Sequence, residues 1–159
     1  MKNNVKGVAA VIFSILLVSA AILSGCSSEK GSRDEKVTAL METADRAASV
    51  TMYYGYQCYS YYKEDPESIK EVADAFRSMT LEETDQSIDE ATSFTVYFVV
   101  NDEESVSVDV DKNGIFWLSK EQKFYKDVSG TFDYDVLADL YAGSGGNMEP
   151  NAACELNLD

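Results

Sequence analysis

Apolar residues recur along this chain in three rhythms, and each rhythm predicts a different kind of element. The first is helical. Val37, Leu40, Met41, Ala44 and Ala48 fall three or four residues apart, the spacing that lines one face of a helix. Ser32-Arg33-Asp34-Glu35 precedes them as a capping box, so a helix is expected over about 33–48. Ile69, Val72, Ala73, Phe76 and Met79 repeat the rhythm behind Asp65-Pro66-Glu67: an N-cap, a proline in the first turn and an acid near the positive helix end. Val136, Leu137, Leu140 and Tyr141 form a third set. Asp133 is its N-cap, Phe132 and Leu137 stand at the positions of a hydrophobic staple, and Gly143 ends it.

The second rhythm is alternation. Phe94, Val96, Phe98 and Val100 share one face of a strand over 93–100. Asn101-Asp102-Glu103 turns the chain, and Val106, Val108 and Val110 alternate in a partner. Asn113-Gly114 is a hairpin turn, 115–119 returns, and 123–126 adds a short edge strand. Residues 50–62 read as one extended strand. It has Tyr53, Gly55, Gln57, Tyr59 and Tyr61 on one face and Met52, Tyr54, Tyr56, Cys58 and Ser60 on the other. Gly55 is the place for a bend. Residues 80–92 are acidic and weakly patterned, a loop with room for a short strand. The elements add up to an α+β fold, an antiparallel sheet of about 4–5 strands with 2–3 helices packed mainly on one face. Ser49-Val50-Thr51-Met52-Tyr53-Tyr54 also matches Ser93-Phe94-Thr95-Val96-Tyr97-Phe98 in chemical type. Val72 to Phe76 matches Leu137 to Tyr141. A duplicated unit would set two helices side by side on one face of a shared sheet.

The third rhythm is no rhythm. Val8 to Leu23 is apolar apart from Ser14 and Ser19, and Lys2 and Lys6 precede it. The run is short for a membrane span, which needs about 20 apolar residues, and it is flanked as a secretory signal is. It ends in Leu23-Ser24-Gly25-Cys26, which resembles the lipobox of bacterial lipoproteins. The resemblance implies that residues 1–25 are a signal peptide and that the sulfur of Cys26 carries a diacylglycerol. Residues 26–32 are then the lipidated cysteine and its tether, 33–142 a single domain, and 143–159 a flexible tail. Two acyl chains suffice for stable anchoring where one does not. The implied location is the outer side of the bacterial cytoplasmic membrane, or the outer membrane in an organism that has one. In layout the mature domain resembles small surface lipoproteins of bacteria.

Charge narrows the function further. The chain carries 13 basic and 28 acidic residues and no histidine, for a net charge of −15. Such a surface repels nucleic acid and anionic lipid and favours basic partners or cations. Without histidine, serine or cysteine hydrolysis lacks its usual base, and histidine-ligated zinc is excluded. Gly143-Ser144-Gly145-Gly146 follows a helix instead of opening one, so it is no phosphate loop. Asp109-Val110-Asp111-Lys112-Asn113-Gly114 starts like a calcium-binding loop, but Lys120 stands where the closing glutamate belongs. The hairpin accounts for the same residues, leaving Asp109 and Asp111 as a weak cation site. Cys58 and Cys154 are candidates for a disulfide in an exported chain.

Six of the ten tyrosines lie between Tyr53 and Tyr62. Tyr53, Tyr59 and Tyr61 are the candidate ligand or partner surface, an aromatic platform on a strand whose β propensity alone would also explain them. The expectation is a lipid-anchored, extracytoplasmic, acidic binding or accessory module. It is not an enzyme and needs no metal or cofactor. Its contacts are the membrane, through Cys26, and a protein of the envelope, but not nucleic acid. The alternative is a glycan- or cation-binding surface domain using the tyrosine strand or the Asp109/Asp111 hairpin. A hydrolase working with acids alone would need two carboxylates across a cleft, one with a raised pKa.

Overall fold

The computed structural model describes residues 34–149. Cys26 with its signal and tether, Cys154 and the end of the expected tail lie outside them. Three helices and seven strands follow in the order α1 (Glu35–Ala44), β1 (Ser49–Tyr54), β2 (Ser60–Lys63), α2 (Pro66–Asp74), β3 (Leu81–Glu83), β4 (Phe94–Asn101), β5 (Glu104–Val110), β6 (Ile115–Leu118), β7 (Lys123–Asp127) and α3 (Tyr134–Gly143). All strand pairs are antiparallel, in one sheet of order β2-β1-β4-β5-β6-β7-β3. The α+β class stands, but the sheet is larger than the four or five strands expected.

Both additional strands are edges. The expected single strand over 50–62 is a hairpin: the chain turns at Gly55, and β2 pairs back on β1 with Met52 opposite Tyr61. On the far side, three residues of the expected acidic loop pair with β7. The segment at 123–127 is therefore an inner strand, not an edge.

Helix starts follow the local chemistry closely. Asp65 caps α2 by accepting from the Ser68 N–H at 2.9 Å, with Pro66 in the first turn. Asp133 caps α3 in the same way. At α1 the cap is Asp34, not Ser32. One Asp34 oxygen accepts from the Lys36 N–H, and the other from the N–H of Leu81 at the head of β3. The two oxygens of one carboxylate thus serve donors on two different elements. The helix also stops earlier than the expected 48, because the Ala48 N–H already donates to the Val99 carbonyl and begins the β1–β4 ladder.

The core lies against one face of the sheet. Val50, Met52, Tyr54, Phe94, Val96, Phe98, Val108, Val110, Phe116 and Tyr125 point into it. So do Val37, Leu40 and Met41 of α1, Ile69 and Val72 of α2, and Leu137 and Tyr141 of α3. Phe76, just past α2, meets Phe98 and Phe116 edge-on, while Tyr141 meets Tyr54 and Phe94. All three helices thus cover the same face. The two look-alike segments are neighbouring strands with Met52 opposite Val96, Val50 opposite Phe98 and Tyr54 opposite Phe94. Matched positions exchange across a local two-fold axis, and α2 and α3 share one core.

Beyond α3 the chain packs down before it leaves the described residues. The Gly146 N–H donates to the Tyr141 carbonyl, and a Cβ at Gly146 would lie 2.2 Å from the Tyr141 ring, so only glycine fits. Residues 143–149 of the expected flexible tail are therefore held on the domain.

Candidate functional site

Among the described residues, no helix lies on the second face of the sheet. Strand register sets one row of side chains across it: Ser60, Tyr53, Thr95, Asp109, Trp117 and Phe124, one each from β2, β1, β4, β5, β6 and β7. Tyr97 stands beside the row, its ring edge-on to Tyr53 with centroids 6.1 Å apart. Toward β7 the row becomes the floor of a groove of about 450 Å³, formed by Thr95, Asp109, Trp117 and Phe124. Tyr56, from the β1–β2 turn, and Ile88 and Glu90, from the β3–β4 connection, line its sides. The connection is fixed by a short 3₁₀ turn at Glu90–Thr92, where Asp89 accepts from the Ala91 N–H. The Gly55 N–H donates to the Ser93 carbonyl, which joins the two segments.

The groove's chemistry is aromatic and acidic. Trp117 and Phe124 meet at 52° with centroids 4.7 Å apart, so they form a corner, not a flat platform. The Tyr56 hydroxyl donates to Glu90 Oε2 at 2.7 Å, which raises the tyrosine pKa and fixes the rim. Asp109 is half-buried on the floor. Burial pushes its carboxyl above the usual carboxylate range, and the neighbouring Thr95 hydroxyl opposes that only in part. Among the described residues no lysine or arginine lines the groove, and none is ion-paired to Asp109.

Asp111, two residues on, has a different environment. It is fully buried, and its carboxylate accepts from the N–H groups of Asp89 at 2.9 Å, Asn113 at 2.8 Å and Ile115 at 3.0 Å. It thereby shapes the β5–β6 turn. The Gly114 N–H donates to the Asp111 carbonyl, the Asp111 N–H to the Ile115 carbonyl, and Gly114 adopts φ +71°. Only Gly114, not Asn113, is left-handed, so the connection is a three-residue loop with a glycine bulge instead of the two-residue turn that Asn-Gly suggested. Asp109 and Asp111 line different hollows, one with Trp117 and Phe124, the other with Ser87, Asp89 and Asn113. Among the described residues no group of three or more acids or cysteines is placed to hold a metal ion.

The three candidate tyrosines do not share a surface. Tyr53 is 41% exposed on the uncovered face. Tyr59, in the β1–β2 turn, donates to the Ser144 carbonyl and lies edge-on to Tyr141. Tyr61 is 2% exposed, buried on the helix side. The hairpin explains the correction: once the chain reverses after Tyr54, face parity restarts, and Tyr61 sits opposite inward-facing Met52. Cys58, in the same turn, is disulfide-bonded; the other two cysteines, Cys26 and Cys154, lie outside the described residues. Sequence reasoning missed Trp117, Phe124 and Tyr56. The signal was present in Ile115-Phe116-Trp117-Leu118, which is apolar at every position. A strand with only one buried face should alternate.

No family model, curated protein or solved structure matches the chain.

Proposed function

We propose that this protein is a lipid-anchored, extracytoplasmic binding module without catalytic activity, and that it makes its contacts through the uncovered face of the sheet. The observation that carries this reading is the groove: aromatic side chains and a half-buried carboxylate, gathered from four neighbouring strands and two loops, on a face that no helix of the described residues covers. The sheet edges are poorer contact sites. β2 has four residues, and β3 has three, with Glu82 and Glu83 exposed and Glu83 bridged to Lys123. Short, charged edges oppose strand addition, so recognition falls to the face.

The anchor rests on the lipobox. Cys26→Ser is expected to move the protein out of the membrane fraction or leave it as an unprocessed precursor. A processed variant still in the membrane fraction would contradict the anchor. With Cys26 carrying lipid, Cys154 becomes the partner of Cys58. Support comes from the neighbours of Cys58: Gln57 donates to the Glu149 carbonyl and Tyr59 to Ser144, drawing the chain after α3 toward that cysteine. The binding face is tested by photocrosslinking in cells from Tyr53, with Tyr59 on the C-terminal clasp as the control. Capture from Tyr53 alone supports the face; equal or no capture contradicts it.

A second reading has one observation in its favour. Asp109, with a raised pKa, and Glu90 both line the groove, and acid-only glycoside hydrolysis works with two carboxyl groups, one of raised pKa. Glycan cleavage abolished by either Asp109→Asn or Glu90→Gln would replace the binding role with this one.

A further inference from the structure

The geometry points to an organic ammonium group, carried by a small molecule, as the occupant of the groove, seated between Trp117, Phe124 and Tyr56 with Asp109 as its counter-charge. The assignment rests on the binding-face reading above and specifies its ligand.

Three features select a cation. The first is shape. Rings set at 52° make a corner that receives a rounded trimethylammonium or alkylammonium head, whereas the flat face of a sugar ring stacks on a single plane. Ammonium groups are attracted to aromatic faces within about 6 Å, and most strongly to tryptophan. The second is charge. Asp109 is half-buried with no basic side chain among the groove's residues. A carboxylate half-withdrawn from water with a hydroxyl but no cationic partner is costly, and an entering cation relieves that cost. Asp111 shows what compensation from within the fold looks like, with three backbone donors on its oxygens. The third is the long-range field. A net charge of −15 concentrates cations at the surface and repels anions. Glu90 adds a second carboxylate at the rim, held by Tyr56.

The chain's single tryptophan is Trp117, on the groove floor, so tryptophan fluorescence, excited selectively over the ten tyrosines, reports on the site. The full chain in a non-ionic detergent is titrated with choline chloride, with sodium chloride at matched ionic strength as the baseline. The uncharged isostere 3,3-dimethylbutan-1-ol is titrated in parallel. A saturable change with choline is expected, with the isostere weaker by about tenfold or more. Asp109→Asn should weaken choline by a similar factor while leaving the far-ultraviolet circular dichroism unchanged, and Asp109→Glu should restore part of the loss. No saturable change with choline, or equal binding of the isostere, overturns the assignment. If choline fails while Tyr53 still crosslinks a partner, the cation falls and the binding face stands. If both fail, both fall.

Discussion

Phe98 and Tyr97 are consecutive residues of one strand, and they belong to two different surfaces. Phe98 is 0% exposed beneath the helices, while Tyr97 is 39% exposed with only Tyr53 edge-on beside it. The same division runs through the whole sheet. The helix side is filled with aliphatic and aromatic residues in contact with α1, α2 and α3. The other side carries a sparse row of aromatic side chains, hydroxyls and one half-buried acid. Close packing leaves the first surface no freedom for anything but stability. The second surface has large, partly exposed side chains, and a groove lined by some of them.

The two acids at the end of β5 repeat the contrast on a smaller scale. Asp111 spends its oxygens on backbone N–H groups and organises a turn. Asp109 faces Trp117 and Phe124 and is bonded to no N–H group of the described backbone. One has its charge met by the backbone, and the other lines the groove.

Mutations sharpen the comparison. Phe98→Ala should cost the most, about 3–5 kcal/mol of unfolding free energy, against less than about 1.5 kcal/mol for Tyr97→Ala, which loses one ring pair and only partial burial. Chemical denaturation of both variants measures the gap, and equal losses would remove the distinction between the faces. Asp111→Ala should come next, at about 1–3 kcal/mol, because backbone donors inside the turn lose their acceptor. If instead it unfolds at the same denaturant concentration as the parent, those bonds carry no weight.

The smallest change has the opposite sign. A folded-state pKa raised by burial means that ionised Asp109 weighs against folding. That penalty is complete above the folded pKa, shrinks as pH falls through it, and is gone below the unfolded value. Asp109→Asn should therefore raise the melting temperature at neutral pH, and the difference from the parent should fade in acid. Asp127 is the reverse case. Burial alone would raise its pKa, but the Ser129 hydroxyl and the N–H groups of Phe132, Thr80 and Ser129 outweigh that and hold it low. Its contribution is present above the unfolded pKa and is lost as pH falls through the folded one.

Much of the covered side was legible beforehand because local chemistry and tertiary demand agree there. Asp65-Pro66, the alternation of Phe94, Val96 and Phe98, and the Asp133 cap each have one reading, and the fold uses it. The hairpin between Tyr53 and Tyr62 was hidden because tyrosine suits either face of a strand, so parity could not reveal the reversal at Gly55. β3 was foreseen only as room for a short strand, because three residues with two acids, Leu81-Glu82-Glu83, carry no period to place it. The groove was hidden for a different reason. Trp117, Phe124 and Asp109 are brought together by the register of three strands, and Tyr56 and Glu90 by loops, none of which is written in any one segment. Asp109 was singled out, but beside Asp111, a neighbour in sequence that lines a separate hollow.

The most direct test of the account is a carboxyl-carbon NMR titration that follows Asp109 and Asp127 together. The account predicts that Asp109 titrates above the ordinary carboxylate range and Asp127 below it. An Asp109 midpoint at or below the ordinary value would mean that the fold already compensates this charge, and would contradict a carboxylate held for a ligand.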